Sequence, residues 1–194
     1  SAWGLYAFPQ ESRTNFVNEF QGLSINQDGS SDWQRKMGNG SLGLDYDFNA
    51  YNNISTNAKF TGFYNGGPGF SKVLTNGVQT GKIDNTTDMS NNNLDWNIDY
   101  RKTSKKQGEE FSVAAQITQG RNNNDFTNDY RMVDNTLINY TQSNNVGKNK
   151  EYTLQTDYVL PIKPSVIFEV GAKGILRDIA SEFSAVNTTD FNYN

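Results

Sequence analysis

One short stretch decides the fold: Leu42-Gly43-Leu44-Asp45-Tyr46-Asp47-Phe48, in which an apolar residue stands at every second position. Successive side chains of a β-strand point to opposite faces of the sheet. The alternation therefore places the apolar residues on one face and the two aspartates on the other. It predicts a strand with one apolar and one polar face.

The same alternation recurs along the chain. After a break at Asn49–Asn52 it resumes at Ile54 and runs to Tyr64. It returns in four later segments, which begin at Leu94, Phe111, Tyr152 and Val166. No stretch shows the 3.6-residue period of an amphipathic helix. The sequence therefore predicts an all-β fold.

The N-terminal part is less regular. Strands are expected there near residues 2–8, 14–25 and 34–48, with a turn at Pro9–Arg13. Together with the later segments this predicts about eight strands, which pair antiparallel in an up-and-down order.

The expected connections differ in length. The short ones lie at residues 9–13, 49–52, 102–108 and 161–164, the intermediate one near 26–33, and the long ones near 65–91 and 120–150. Because short and longer connections alternate, all short turns fall at one end of the sheet and the long loops at the other. This is the layout of an outer-membrane barrel, whose periplasmic turns are short. The alternating stretches run roughly 9–12 residues, and a tilted strand needs about 9–11 to cross the hydrocarbon.

The composition excludes several function classes. The 194 residues carry Lys+Arg 17 and Asp+Glu 21, without the basic patch of a nucleic-acid binder. The chain has no cysteine and no histidine, which removes the usual nucleophile systems and the imidazole and thiolate ligands of metals. We expect no enzyme and no catalytic, cofactor or metal site. The Asn122–Asp129 segment offers oxygen ligands for calcium but lacks the glycine and final glutamate of a calcium loop, and is expected to be a solvated loop.

Two sets of side chains mark the two faces of the predicted strands. The charged set is expected to line a wet lumen, the alternative being the solvated face of a soluble sheet: Asp45, Asp47, Lys59, Asp95, Asp99, Arg101, Asp157, Glu169 and Lys173. The aromatic set is expected to face lipid near the headgroups, the alternatives being a sandwich core or a sugar-stacking platform: Tyr46, Phe48, Tyr64, Trp96, Tyr100, Tyr152 and Tyr158.

Four segments resemble outer-membrane β-barrel proteins related to TonB-dependent receptors: Gly43–Asn49, Leu94–Arg101, Leu154–Pro161 and Gly171–Asp178. The resemblance covers most of residues 40–178. It implies a barrel of many strands in the outer membrane of a Gram-negative bacterium that recognises or admits an extracellular solute. The partners that it implies are the rest of the barrel, a plug domain, membrane lipid and a TonB-type energy-coupling protein.

The chain departs from a complete member of that family. No plug-like domain, energy-coupling segment or signal peptide is recognised in it. Residues 1–194 are therefore expected to form part of a single outer-membrane barrel domain, with a complete eight-stranded barrel as the alternative. The alternative function is a soluble β-sandwich that binds glycans or mediates adhesion. A carboxylate-dependent hydrolase is a third hypothesis, and no spacing of the acidic residues supports it.

Overall fold

The computed structural model describes residues 1–189, which form one antiparallel sheet of seven strands in up-and-down order. The strands are β1 Ala2–Phe20, β2 Leu23–Asn49, β3 Asn52–Thr75, β4 Val78–Thr103, β5 Glu110–Met132, β6 Leu137–Lys163 and β7 Val166–Thr189. Their lengths run from 19 to 27 residues. Strands of soluble sheets are usually about 5–6 residues long, so the strands of this sheet are several times longer. The predicted all-β, antiparallel, up-and-down fold is confirmed.

The connections fall at two ends of the sheet. Those at residues 50–51, 104–109 and 164–165 lie at one end, here called the lower end. Those at 21–22, 76–77 and 133–136 lie at the upper end.

Local chemistry explains the two tightest upper turns. Both residues of Gln21-Gly22 and of Asn76-Gly77 have positive φ, at 49° and 81° in each pair. That is the backbone of the type I′ turn, which matches the twist of a two-residue hairpin.

Residues 1–189 form seven strands, where about eight were expected, because one predicted turn is absent. Residues 2–8 and 14–25 were expected to be separate strands joined by a turn at Pro9–Arg13, but β1 runs through both. The pairing of β1 with β2 shifts by one residue between Ala7 and Gln10. Such a bulge in an edge strand accommodates Pro9, which has no N–H for the ladder.

The expected long loops are also wrong. Residues 65–91 and 120–150 are mostly strand, folded back at Asn76-Gly77 and at 133–136, and residues 26–33 lie inside β2. These segments show no regular apolar alternation, yet their backbone groups pair along almost their whole length. The short turns expected near 49–52, 102–108 and 161–164 are confirmed.

The sheet has no second layer. Each strand contacts only its neighbours in the chain, and Val73 is the one buried apolar side chain among residues 1–189. A soluble sandwich requires two sheets packed face to face, and the described residues form a single one. In it, β1 and β7 are the two edges, so the sheet is not closed.

No helix within residues 1–189 is long and apolar enough to cross a membrane.

Candidate functional site

One face of the lower half of the sheet is apolar from strand to strand. One row across the register consists of Leu42, Ala58, Trp96, Ile117, Tyr152 and Leu176, each paired with the next. The row below it consists of Leu44, Thr56, Ile98, Ala115, Leu154 and Gly174. The predicted apolar face is therefore continuous over six strands. It is called the outward face below.

This apolar band has the exposure and the height of a lipid-facing surface. Leu154 is 59% exposed and Leu176 74% exposed, so no other part of the described sheet covers them. The segment from Tyr152 to Leu160 rises about 26 Å at 3.3 Å per residue, or about 20 Å when tilted by about 40°. Transmembrane barrels present a band about 25 Å tall.

Tyrosines mark the lower edge of the band. The Tyr100 hydroxyl donates to Asn52 Oδ1 at 2.6 Å, and the Tyr158 hydroxyl donates to Glu109 Oε1 at 2.7 Å. Glu109 lies in the 104–109 connection. A hydrogen bond from the Ser104 hydroxyl lowers the pKa of its carboxyl, and the hydrogen bond from Tyr158 lowers it further but by less. Rings on the apolar side with hydroxyls towards a polar turn fit the headgroup level.

A second aromatic group marks the upper edge of the band. The Lys36 ammonium lies 5.8 Å from the ring centre of Tyr6 and 5.4 Å from that of Tyr64. The Tyr64 hydroxyl donates to Asp88, which is on the same face of β4. Cation–π contacts and charged partners replace apolar packing here, so the outward face changes from apolar to polar at this level.

The opposite, luminal face of the lower half carries the predicted charged residues. All nine project from the face opposite Leu42, as the alternation predicted: Asp45, Asp47, Lys59, Asp95, Asp99, Arg101, Asp157, Glu169 and Lys173. They do not converge on one point. Lys59 stands directly opposite Asp95, whereas Asp45 and Lys173 lie in the same row at distant strands.

Neutral side chains satisfy most of the luminal carboxylates. Asn53 donates to Asp47 at 2.8 Å, Asn97 to Asp99 at 2.7 Å and Gln155 to Asp157 at 2.8 Å. Such amide donors hold a carboxylate without adding charge. The arrangement is a polar wall whose carboxylates are held by hydrogen bonds.

One row of the luminal wall contains residues that the sequence did not single out as a site. It runs Ser41, Lys59, Asp95, Thr118, Glu151 and Arg177. Thr118 donates to Asp95 at 2.8 Å, and Arg177 Nε donates to Glu151 at 2.7 Å. Glu151 and Arg177 alternate with Tyr152 and Leu176, so the same alternation could have placed them on the luminal face.

The upper half of the sheet inverts this distribution of polarity. On β4–β6 the outward face is charged: Lys82, Asp84, Asp88, Arg121, Asp125, Asp129, Arg131, Lys148 and Lys150. The luminal face of the same segments has no Lys, Arg, Asp or Glu at residues 81–93, 120–132 and 139–149. Asparagines dominate it instead: Asn85, Asn91, Asn93, Asn122, Asn124, Asn128, Asn139, Asn145 and Asn149.

Glycines deepen this amide-lined surface. A Cβ on Gly120 would lie 2.7 Å from Asn93 Oδ1, and one on Gly147 would lie 1.9 Å from Asn122 Oδ1. The asparagine side chains therefore lie across the glycine backbone. They line a groove of about 450 Å³ that extends from β4 to β7.

An adjoining groove continues towards β1. It has about 370 Å³, is lined by Trp3, Met37 and Phe63, and shares Asn91 and Asn93 with the first groove. The two grooves together are called the amide groove below.

The calcium hypothesis for Asn122–Asp129 is resolved by the register. The segment is part of β5 and not the expected solvated loop. Asn122 and Asn124 lie on the luminal face, while Asp125 and Asp129 lie on the outward face, so these oxygens cannot surround one ion. Residues 1–189 contain no cluster of three or more acidic side chains that could hold a metal.

About half of the chain matches a known protein family. Residues 101–194 match the model of the outer membrane protein beta-barrel family. No curated protein matches the chain. Together with the antiparallel sheet and its apolar band, the match assigns this protein to the outer membrane of a Gram-negative bacterium, as part of a β-barrel.

Proposed function

We propose that this protein is a receptor-type barrel related to TonB-dependent receptors. The sheet would form part of the barrel wall, and the barrel would recognise and take up an extracellular solute. Residues 1–194 would all belong to that one barrel. The observation that carries the proposal is the luminal face, which is charged in the lower half and rich in asparagine above it, while the outward face of the lower half is apolar.

The orientation follows from where the strands leave the membrane. Below the apolar band the chain turns within a few residues, at 50–51, 104–109 and 164–165. Above the band, β5 and β6 continue from Ile117 and Tyr152 to the turn at 133–136. Bacterial barrels have short periplasmic turns and longer extracellular extensions. The upper end is therefore assigned to the cell exterior.

The lumen of such a barrel is wide. The luminal side chains of the described sheet bond to neighbouring strands, as Thr118 does to Asp95 and Arg177 to Glu151. None of the strands contacts a strand other than its neighbours within residues 1–189. In the smallest barrels, side chains from opposite walls fill the interior. The proposed receptor-type barrel would be wider, with room for a solute and for a plug domain.

Both edges of the sheet need partners in the membrane. The outer edges of β1 and β7 have unpaired backbone groups among the described residues, and lipid does not satisfy such groups. Further strands would close the barrel, in agreement with a large receptor. A TonB-type protein would then supply the energy for release of the solute from the plug.

Growth of the source bacterium tests this function. We expect a strain in which the gene is deleted to lose growth on at least one compound in a panel of sole carbon and iron sources. The same loss should follow deletion of the energy-coupling protein, and a plasmid copy of the gene should restore growth only when that protein is present.

A matched pair of variants links the phenotype to the lumen. Lys59→Glu places a negative charge opposite Asp95 on the luminal face, whereas Lys150→Glu makes the same change on the outward face. Only the first should impair growth on the affected compound. Unchanged growth of the deletion strain on every compound, or restored growth without the energy-coupling protein, would overturn the proposal.

A further inference from the structure

We infer that the amide groove binds a neutral, polyhydroxylated oligomer, an oligosaccharide, as it enters from the cell exterior. The inference rests on the proposed function and names the substrate class of that barrel. It starts from the contrast between the two faces of the upper half.

Water reaches both faces of the sheet above the membrane, so solvation alone does not separate charged from neutral residues there. Nevertheless Arg121, Asp125 and Lys148 point outward, while Asn122, Asn124 and Asn149 beside them point into the lumen. Arg121 and Lys148 also border the groove, but the register places their side chains on the outward face. A charged solute would therefore form no ion pair in the groove, and its partial desolvation would go uncompensated. The groove therefore favours a solute without formal charge.

The asparagine amides provide both kinds of hydrogen-bonding group. Each amide has two N–H donors and an acceptor oxygen. Asn93 Nδ2 donates to Asn91 Oδ1 at 2.7 Å, which holds that pair in place. Asn122 and Asn149 have no side-chain hydrogen bond to another residue within 1–189. An array that donates and accepts over a short distance suits hydroxyl groups, each of which also does both.

The shape of the groove selects an extended ligand. The groove crosses the strands from Trp3 on β1 to Ile179 on β7. Six interstrand spacings of about 4.8 Å give it a length of about 29 Å. A single small molecule would occupy only part of such a length, whereas a linear oligomer would follow it.

Aromatic rings complete the first half of the groove. Trp3 is 54% exposed and Phe63 39% exposed, and both line the part nearest β1. A sugar ring presents a face of C–H groups and a rim of hydroxyls. The rings offer flat apolar surface to the former and the amides of Asn91 and Asn93 offer partners to the latter. An extended peptide could hydrogen-bond to the amides, but its backbone has no C–H face to place on the aromatic rings. A peptide is therefore the competing probe.

Binding measurements on the full-length barrel in lipid nanodiscs test the inference. The probes are maltoheptaose, xylohexaose, mannohexaose and chitohexaose as neutral oligosaccharides, a hexagalacturonate as an anionic one, and a neutral hexapeptide. We expect at least one neutral oligosaccharide to bind by isothermal titration calorimetry, and the hexagalacturonate and the peptide to bind at least ten-fold more weakly.

Two double variants locate the binding. N122D/N149D introduces two charges on the luminal face without changing side-chain size, and should weaken binding of the neutral oligosaccharide at least ten-fold. N92D/N123D makes the same change on the outward face of neighbouring strands and should leave binding within about two-fold. A melting curve of each variant separates loss of binding from loss of folding, and Gly147→Ala, which would push Asn122 aside, provides a second test by filling the groove.

Several outcomes would overturn the inference: no neutral oligosaccharide binds, the peptide or the hexagalacturonate binds as well, or N122D/N149D retains full affinity in a folded barrel. If the protein is a receptor for another solute, the energy-dependent growth phenotype would still be observed alongside any of these outcomes. Loss of that phenotype with oligosaccharide binding preserved would instead contradict the proposed function alone.

Discussion

The lower and upper halves of this sheet share the same strands and the same hydrogen-bonded ladder, but their faces are opposite in character. In the lower half the outward face is apolar around Leu154, and the luminal face is charged around Asp95 and Arg177. In the upper half of β4–β6 the outward face carries Arg121 and Lys148, and the luminal face has no Lys, Arg, Asp or Glu.

This difference shows that the residue types on the two halves of the sheet have different causes. Lipid outside dictates the lower half, because apolar side chains are the ones that hydrocarbon accepts. Solvent does not dictate the upper half, where both faces are wet. The absence of charge on the luminal face of β4–β6 therefore needs another cause, and the inferred contact of the amide groove with a solute would supply it.

The largest change in stability is expected for a substitution on the lipid-facing band. Leu154→Arg places a charge near the middle of the band on the outward face and should reduce the free energy of unfolding by about 2–4 kcal/mol. Denaturant titration of the full barrel in lipid vesicles measures it.

Two arginine substitutions serve as controls for that result. Gln155→Arg, the next residue on the luminal face, and Ser90→Arg, on the outward face of the upper half, should each change stability by less than about 0.5 kcal/mol. A loss at Ser90 equal to that at Leu154 would mean that the band extends higher than the register indicates.

A smaller effect is expected where the upper ladder is interrupted. Gly67 has φ of 155°, and a Cβ there would lie 1.8 Å from the Asp32 carbonyl oxygen, at the gap in β2–β3 pairing. Gly67→Ala should cost about 1–3 kcal/mol because the backbone must shift. Gly174→Ala has open space around it and should stay within about 0.5 kcal/mol. Equal effects in the same unfolding assay would show that the gap is not sterically determined.

The two halves were not equally predictable from sequence. In the lower half, alternation at every second residue placed each predicted charge on the face opposite the apolar band, since lipid imposes that period. In the upper half both faces are polar, so the alternation disappears and residues 65–91 and 120–150 were expected to be loops. The dipeptide Asn76-Gly77 was a usable hairpin signal inside one of them.

The amide groove was beyond sequence reasoning for a different reason. Asn93, Asn122 and Asn149 come from three strands, and only the register brings them beside Gly120 and Gly147. A shift of one residue would turn them to the other face. No local pattern fixes that register where both faces are polar.

The ion pair between Glu151 and Arg177 should contribute little, although it looks prominent in the luminal wall. Its side chains are 24% and 56% exposed, and exposed pairs typically give about 0.2–1 kcal/mol. A double-mutant cycle with Glu151→Gln and Arg177→Gln should return a coupling in that range, which decreases as salt is added. A coupling above about 2 kcal/mol would imply that the lumen is drier than proposed.

The smallest effect is confined to a lower turn and depends on pH. Hydrogen bonds from Ser104 and Tyr158 stabilise the charged form of Glu109 and lower the pKa of its carboxyl in the folded barrel. A lowered folded-state pKa means that the stabilisation is complete above the unfolded value, near 4.3 for glutamate, and is lost as the pH falls through the folded value. Acidification should therefore loosen this turn while the apolar band stays intact.

The carboxyl carbon of Glu109 reports this equilibrium directly. Its chemical shift, followed by NMR against pH in nanodiscs, should titrate below the usual glutamate range. Ser104→Ala should move the midpoint upward, and Tyr158→Phe should move it upward by less, because the Ser104 bond has the larger effect. An unchanged midpoint in Ser104→Ala would show that the turn does not hold the carboxylate. In that case contact with lipid alone would hold Tyr158 at the lower edge of the band, without help from the turn.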